Sequence, residues 1–282
     1  MRINPVLKNE SKLVTRSIKF TLVLLFYIGF LSVAGIMVFT SRTNGYYSQG
    51  MYLGAVTITY SVLAIIQAAL LMFIVPSLVA TSICGEREKQ TLDVLLSTRM
   101  SPLSIVLGKL FASVNRVILL IICAIPVYSL SLLIGGVSIK NILELSIFFI
   151  VATIFVGSIG IYISTRMKTS KTATVVTYFL VLAIFVGIVI GTAIYMVYKS
   201  RYSNTTPDFP IISFISPTFG FISLLENQIG SGIAFLGSVF EGEMQYGYII
   251  SMAFQLVLSV IFILLSAYKL NPLNKKKIIK NK

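Results

Sequence analysis

Apolar residues along this chain come in six long blocks that are separated by shorter, more polar segments. A helix needs about 20 consecutive apolar residues to cross a bilayer core of about 30 Å. Every block reaches that length. The pattern therefore predicts an all-α membrane protein whose six spans lie at residues 20–40, 51–83, 110–135, 142–165, 173–198 and 248–268.

Composition agrees with this pattern. Of the 282 residues, 56% are hydrophobic and 11% are charged, whereas soluble domains contain roughly 25% charged residues. The block at 51–83 is the longest, and as a helix it would reach about 50 Å, which exceeds the thickness of a bilayer core. We expect this span to tilt or to extend into water at one end.

The basic residues predict the orientation of the spans. Lysine and arginine are retained on the cytoplasmic side of a membrane, and eighteen of the 23 fall in segments that share the side of the N-terminus. Both termini are therefore expected in the cytoplasm, with residues 269–282 as a basic cytoplasmic tail. The net charge of +14 follows from this topology. A nucleic-acid surface would instead interleave basic and aromatic residues on a soluble domain, so we expect no nucleic-acid partner.

The chain has no histidine, which excludes serine-histidine triads and histidine-ligated metal sites. It also has no G-x-x-x-x-G-K-[ST] phosphate loop, since its Gly108-Lys109 pair is followed by leucine. Cys84 and Cys123 are not placed for a disulfide or a zinc site. We therefore expect no catalytic residue, metal ligand or cofactor in this chain, and no enzyme activity of its own.

The segment between the second and third spans differs from a simple connector. Its residues 84–101 are rich in helix formers, and its leucines recur at helical spacing beside a cluster of alternating acidic and basic residues. This pattern predicts an amphipathic cytoplasmic helix. One interpretation is a solvated connector whose leucines rest on lipid headgroups. Because connections between helices usually take about 2 to 8 residues, the greater length favours a protein-docking element.

Two segments resemble the permease subunits of ABC-2 type transporters, the exporter class of ATP-binding cassette systems. They are NPVLKNE at 4–10 and TSICGEREKQTLDVLLSTRMSPLSIVLGK at 81–109. The family's version of the second segment looks like sI..Ere.gTle.LlstP.s...i..gK. Arg99 departs from it, because the family commonly has proline at that position. The layout of spans is similar over nearly the whole chain.

The resemblance implies that 84–101 is a coupling helix, which seats in a groove of a separate cytoplasmic ATPase subunit. ATP and Mg²⁺ would then be bound by that partner, and a second permease subunit, identical or related, would complete the pathway in a bacterial inner membrane. Leucines would anchor the interface and charges would set its register. The residues that the resemblance assigns to it are Glu86, Arg87, Glu88, Thr91, Leu92, Leu95 and Leu96.

The same resemblance places short helices at two further positions. Residues 1–19 would form an amphipathic helix along the inner membrane face, with basic side chains available to anionic lipid. Residues 199–247 would form an external segment with re-entrant helices, because its apolar runs are too short to span. Glycine and proline residues suit breaks in such helices, at Pro217, Gly220, Gly230 and Gly232.

Four polar residues inside the spans are candidates for a substrate pathway, because membrane-buried polar groups face protein or water. They are Gln67, Asn115, Arg116 and Gln255. The alternative is structural: amides bond between helices, and arginine snorkels toward the headgroups. The glycine pairs of two spans are expected at close helix contacts, namely Gly157 with Gly160 and Gly187 with Gly191.

Two other function classes share the predicted topology. A self-sufficient secondary carrier would show internal repeats and several ionisable residues deep in its spans, and Arg116 is nearly alone there. A membrane protein that only anchors or assembles a complex would need no coupling helix. The sequence therefore favours the permease subunit.

Overall fold

The computed structural model describes residues 18–43, 49–92, 97, 101–133, 137–202, 210–229 and 246–270. Every regular element within these ranges is helical. Six of the helices there are long and apolar enough to cross a membrane. The predicted all-α class and the six spans are thereby confirmed, and the chain is a multi-pass membrane protein.

We number the six helices as spans 1 to 6. Spans 1 to 4 cover Ile18–Thr43, Gln49–Val79, Pro102–Leu133 and Ile139–Arg166. Span 5 joins the α-helix Ser170–Leu182, the π-helical turn Ala183–Gly187 and the α-helix Ile188–Tyr202, and span 6 covers Gly247–Leu270. Three short helices lie between spans, at Cys84–Glu88, Ile211–Ile215 and Pro217–Ile229.

Two span boundaries differ clearly from the predicted ones. Span 3 begins at Pro102 instead of residue 110, because Lys109 is paired with a carboxylate and so does not mark the edge of the helix. Span 2 ends at Val79 instead of residue 83. The chain turns at residues 80–83 and forms the short helix Cys84–Glu88.

Span 4 lies at the centre of the helices. In its most apolar window 61% of the residues are buried, compared with 17% in span 1 and in span 5. Small residues allow this packing: a Cβ on Gly157 would lie 2.9 Å from Leu110 Cδ1, and one on Gly160 would lie 3.1 Å from Val79 Cγ1. The predicted close contacts at these two glycines are confirmed.

Span 5 does not repeat this arrangement. A Cβ on Gly187 or Gly191 would meet no described atom within 4 Å. Close packing was predicted for both, and the described residues do not provide it. The reason is the position of span 5, whose side chains are mostly exposed at the edge of the helices.

The short helix Pro217–Ile229 packs closely on span 6. A Cβ on Gly220 would lie 2.7 Å from Ser251 Cβ, and one on Gly247 would lie 2.8 Å from Ser223 Oγ. Pro217 begins the helix, as its fixed φ favours. Gly220 was predicted at a helix break. It lies inside the helix instead, where the absence of a side chain allows the contact with Ser251.

Several predictions fall outside the described residues. They concern residues 1–17 of the predicted amphipathic helix, Leu95 and Leu96 of the predicted coupling helix, Gly230 and Gly232, and residues 271–282 of the basic tail.

Candidate functional site

The segment that follows span 2 is the first candidate site, and we call residues 80–91 the charged turn. Its helix Cys84–Glu88 ends in a Schellman motif, in which Gln90 N donates to Arg87 O at 3.1 Å and Thr91 N donates to Glu86 O at 3.0 Å. Gln90 has a φ of 57°, a left-handed conformation that favours glycine. The continuous helix predicted for 84–101 is therefore interrupted after residue 88.

Tertiary contacts hold this short helix in place. Residues 84–101 contain good helix formers after Gly85, but intrinsic helix propensity is a weak preference that tertiary contacts override. Three consecutive charged residues of the charged turn each contact a different helix. Within the helix Cys84–Glu88 their side chains lie about 100° apart around the axis, which allows each to reach a different neighbour.

Glu86 joins the charged turn to span 3. Lys109 Nζ donates to Glu86 Oε1 at 2.5 Å, and the lysine side chain is only 4% exposed. An ion pair in such surroundings is stronger than one in water, because the local dielectric constant is low. Each charge also makes burial of the other tolerable, so that loss of one partner would strand the second.

Arg87 joins the charged turn to the end of span 4. Its guanidinium donates from Nη1 to Met167 O at 2.5 Å and from Nη2 to Thr165 O at 3.0 Å. The last carbonyls of a helix have no partner within the helix itself. Arginine suits them because its planar fork presents two donors together, and its positive charge is favourable at a helix C-terminus.

Glu88 joins the charged turn to the start of span 5. Its Oε1 accepts from Ser170 N at 2.8 Å, and its Oε2 accepts from Ser170 Oγ in a short hydrogen bond. Span 5 has no acidic residue in its own first turn. The carboxylate of Glu88 therefore supplies the negative charge that a helix N-terminus favours.

Ser164 completes these contacts from span 4. Its Oγ accepts from Ile83 N and from Cys84 N, each at 3.0 Å. These amides lie at the start of the short helix, where donors have no partner within the helix. We call the charged turn with Lys109, Ser164, Met167 and Ser170 the charged junction. It bonds the end of span 2 to spans 3, 4 and 5.

The remaining residues assigned to the coupling interface are placed differently from one another. Thr91 is exposed, and its hydroxyl donates to Glu86 O at 3.2 Å. Leu92 is 7% exposed and belongs to the hydrophobic core of the chain. Its role as an anchor for a partner stays a prediction, and its described contacts are with this chain's own core. Leu95 and Leu96 lie outside the described residues.

The four polar residues predicted for a pathway are not joined into one cluster. Gln67 is buried and accepts a short hydrogen bond from the Tyr128 hydroxyl. Gln255 is buried and donates from Nε2 to Ser251 Oγ at 3.0 Å. Asn115 is exposed and Arg116 is half-buried. Within the described ranges, no hydrogen bond or ion pair joins any two of these four.

A second polar cluster, absent from the sequence predictions, lies at the other end of the spans. The Tyr60 hydroxyl donates to Gln228 Oε1 at 2.7 Å, and Gln228 Nε2 donates to Asn141 O at 3.0 Å and to Glu144 Oε2 at 3.3 Å. We call these four residues the amide cluster. It joins span 2, the start of span 4 and the helix Pro217–Ile229.

The amide cluster and the charged junction differ in how the sequence could have revealed them. The junction lies on a dense run of charges, whereas Tyr60 and Gln228 are 168 positions apart. The members of the amide cluster come from three separate segments, and nothing in any one segment identifies its partners in the others. Lys109, Ser164 and Ser170 were missed for the same reason, although each lies near a span end.

The described contacts of both clusters join helices to one another. Among the described residues no three His, Cys, Asp or Glu side chains are grouped as metal ligands would be. No family model matches the chain, and no curated protein matches it significantly. The functional interpretation therefore depends on the sequence motif and on the geometry of the charged junction.

Proposed function

We propose that this chain is the membrane-spanning permease subunit of an ATP-driven exporter of the ABC-2 type, with ATP hydrolysed by a separate cytoplasmic subunit. The observation that supports the proposal best is the charged junction. Its residues 81–91 and Lys109 belong to the segment that resembles the family motif, and the junction bonds that segment to spans 3, 4 and 5.

The contacts of the charged junction fit a mechanical role. A partner that moved the charged turn would move the start of span 3 through Glu86, the end of span 4 through Arg87 and the start of span 5 through Glu88. These are polar contacts with directional geometry, so displacement is passed on instead of being absorbed by a loose loop. Coupling between sites needs such a contiguous physical connection or a shared two-state element.

This geometry revises the proposed division of work within the motif. The three charged residues predicted to set register with the ATPase already bond within the chain. Contact with the partner would then come from the exposed side of the segment, which includes Lys89, Gln90 and Thr91. Leu95 and Leu96 remain the proposed apolar anchors.

The proposal includes the finer topology. Both termini and the charged junction would face the cytoplasm, with residues 1–19 along the inner face and the amide cluster near the outer face. The helix Pro217–Ile229 has 13 residues, about 20 Å of rise, which is too short to span. Its buried side packs on span 6 and on Phe148 of span 4. These features support a re-entrant helix.

A second permease subunit is part of the same proposal. Span 1 and span 5 leave most of their apolar side chains exposed. In a membrane this surface faces lipid or another subunit. The candidate pathway residues Gln67, Asn115, Arg116 and Gln255 lie in spans 2, 3 and 6, and a pathway that used them would be completed by the second subunit.

Co-purification tests the proposal. The full chain is expressed with the ATPase subunit encoded next to it, and the complex is isolated through a tag on the permease. The test variant is Leu95→Ser with Leu96→Ser. The matched control is Ile211→Ser with Ile212→Ser, which changes two adjacent apolar residues, 72% and 63% exposed, in the short helix Ile211–Ile215.

We expect the ATPase to remain with the wild type and with the control, and to be lost from the test variant while that variant elutes as a folded protein. Loss of the ATPase from the control as well would mean a general defect. If the wild type retained no ATPase and yet moved a solute in liposomes, the secondary carrier would replace the proposal. Retention by the test variant would remove the coupling role from Leu95 and Leu96.

A further inference from the structure

A cavity of about 330 Å³ lies between spans 2, 4 and 5 and the helix Pro217–Ile229. It is separate from the charged junction, and none of the four candidate pathway residues lines it. Four aromatic rings form much of its wall, those of Phe148, Phe149, Phe185 and Phe221. The rings of Phe149 and Phe221 are stacked at 5.8 Å, which fixes one side of the cavity.

The lining of the cavity has no group that would recognise a polar ligand. Among the described residues around it, no side chain is charged, and the two hydroxyls belong to Thr153 and Thr218. Thr153 donates its proton to Phe149 O at 2.7 Å, and Thr218 donates to Phe185 O at 2.8 Å. Both protons are therefore used within the protein. A phosphate, an ammonium group or a sugar would lose its hydration here without compensation.

The cavity reaches the exposed surface of spans 2 and 5. Ile65 of span 2 and Val186 of span 5 line it and are 44% and 45% exposed. Both residues lie within helices that span the bilayer, so a solute that enters between them comes from the lipid phase. The commonest apolar solute there is the acyl chain of a lipid.

The size of the cavity suits part of such a chain. An apolar cavity of roughly 150 Å³ in a soluble protein stays free of water and holds a benzene molecule. The cavity described here is about twice as large, and its apolar wall would also exclude water. In a bilayer a hydrocarbon chain would fill the cavity, because the bound chain and the cavity wall make dispersion contacts that an empty cavity lacks.

One wall of the cavity is structurally unusual. Phe185 and Val186 belong to the π-helical turn Ala183–Gly187, where Ile188 N donates to Ala183 O. Such turns are rare and occur frequently at functional sites. Thr218, one residue into the helix Pro217–Ile229, bonds the same turn through Phe185 O. One wall of the cavity is therefore formed by a segment that departs from regular α-helical geometry.

We infer that this cavity is a binding site for one unbranched alkyl chain of a membrane lipid, which enters from the bilayer between Ile65 and Val186. The site does not depend on the proposed exporter role. It would exist in any membrane protein that had this arrangement of spans 2, 4 and 5.

The chain contains no tryptophan, so one introduced tryptophan can report on the cavity without background fluorescence. The reporter is Phe149→Trp, because Phe149 lines the cavity and is 3% exposed. Phe179→Trp, at a position 71% exposed on span 5, gives the quenching by bulk lipid. Phe155→Trp, at a position 1% exposed that does not line the cavity, gives the value for the protein core.

The full-length variants are reconstituted into phosphatidylcholine vesicles whose acyl chains carry bromine, a contact quencher, and into vesicles of the same lipid without bromine. We expect quenching of Phe149→Trp to reach at least half of that of Phe179→Trp, with little quenching of Phe155→Trp. Adding Ala152→Leu, which fills the cavity from span 4, should reduce the quenching of Phe149→Trp to the core value. Adding Ala253→Leu, at an exposed position on span 6, should leave it unchanged.

Two results would overturn the inference. If Phe149→Trp in the folded protein were quenched no more than Phe155→Trp, the cavity would be closed or occupied by protein, such as a second copy or residues 230–245. If Ala152→Leu left the quenching unchanged, the bromine would be contacting the tryptophan from outside the cavity. Phe221→Trp, at a position 7% exposed on the neighbouring helix Pro217–Ile229, repeats both tests if Phe149→Trp does not fold.

Discussion

The charged junction and the amide cluster hold opposite ends of the same spans, but with different chemistry. The junction uses full charges: a buried ion pair, an arginine fork on helix carbonyls and a carboxylate at a helix N-terminus. The amide cluster uses a hydroxyl and an amide, with one carboxylate at its edge. Charged contacts lose more free energy when one partner is removed. The junction should therefore be the less tolerant end.

The sharpest test compares two lysines that each pair with a glutamate. Lys109→Met should lower the free energy of unfolding by about 3 kcal/mol, because the half-buried carboxylate of Glu86 would be left without its partner. Lys140→Met, at the other end, should cost less than about 1 kcal/mol, since Lys140 is 82% exposed and lies 3.6 Å from Glu144. Denaturant unfolding in mixed micelles measures both.

Adding Glu86→Gln to Lys109→Met provides the control. The double variant should recover part of the loss, because the stranded carboxylate would be gone. Equal losses for Lys109→Met and Lys140→Met would contradict the contrast between the two ends.

The tightest packing of the amide-cluster end is tested by Gly220→Ala. The new methyl would lie 2.7 Å from Ser251 Cβ, which cannot rotate away. Because Ser251 Cβ cannot move aside, the cost of overpacking should lie near the upper end of its usual range, at about 3 kcal/mol. The gain in helix propensity is about 1 kcal/mol, so we expect a net loss of about 2 kcal/mol. Gly187→Ala, with no described atom near the new methyl, should not destabilise. A stable Gly220→Ala protein would mean that this helix is not fixed against span 6.

Within the amide cluster itself, Tyr60→Phe should have a smaller effect. It removes the hydrogen bond to Gln228 Oε1, and Gln228 keeps its contacts with Asn141 and Glu144. We expect a loss of about 1 kcal/mol, measured by the same unfolding assay. Tyr195→Phe, at an exposed position on span 5, is the matched control and should be neutral. A loss as large as that of Lys109→Met would remove the distinction between the clusters.

The smallest expected effect is a stabilisation of the charged turn. The left-handed conformation costs Gln90 about 1 to 2 kcal/mol. Glycine adopts this conformation without the steric cost but loses about 0.5 to 1 kcal/mol of chain entropy on folding. Gln90→Gly should therefore stabilise the protein by about 0.5 kcal/mol, seen as a raised midpoint of thermal unfolding. Lys89→Gly, where φ is −79°, should lower that midpoint. A lower midpoint for Gln90→Gly would argue against the Schellman ending.

The sequence predicts the spans well because membrane length is a local property. Each block of apolar residues is long enough by itself, and no knowledge of its neighbours is needed. Boundaries are less predictable where a charge is neutralised by a distant residue. Lys109 marks the edge of span 3 in the sequence, but its partner Glu86 allows it to lie inside the helix.

The candidate site is predictable only in part. The run of charges identifies the charged turn as unusual, and the spacing of leucines identifies an apolar face. Neither pattern tells whether the contacts are made within the chain or with a partner. Glu88 shows the difficulty: it bonds Ser170, 82 positions away, and nothing local to either residue indicates the other. Leu92 has the same ambiguity: it is apolar, and it packs in this chain's own hydrophobic core.

The π-helical turn in span 5 also determines how the α-helix after it is rotated relative to the α-helix before it. A turn closed by a bond over five residues holds one residue more than an α-helical turn. If the same residues continued as a regular α-helix, everything after Ile188 would be rotated by about 100° relative to Ser170–Leu182. The π-helical turn absorbs this extra residue, so removing one residue between Ala183 and Gly187 should restore a regular helix and leave the faces of both halves in place. Removing one residue elsewhere in span 5 would instead turn the two halves against each other.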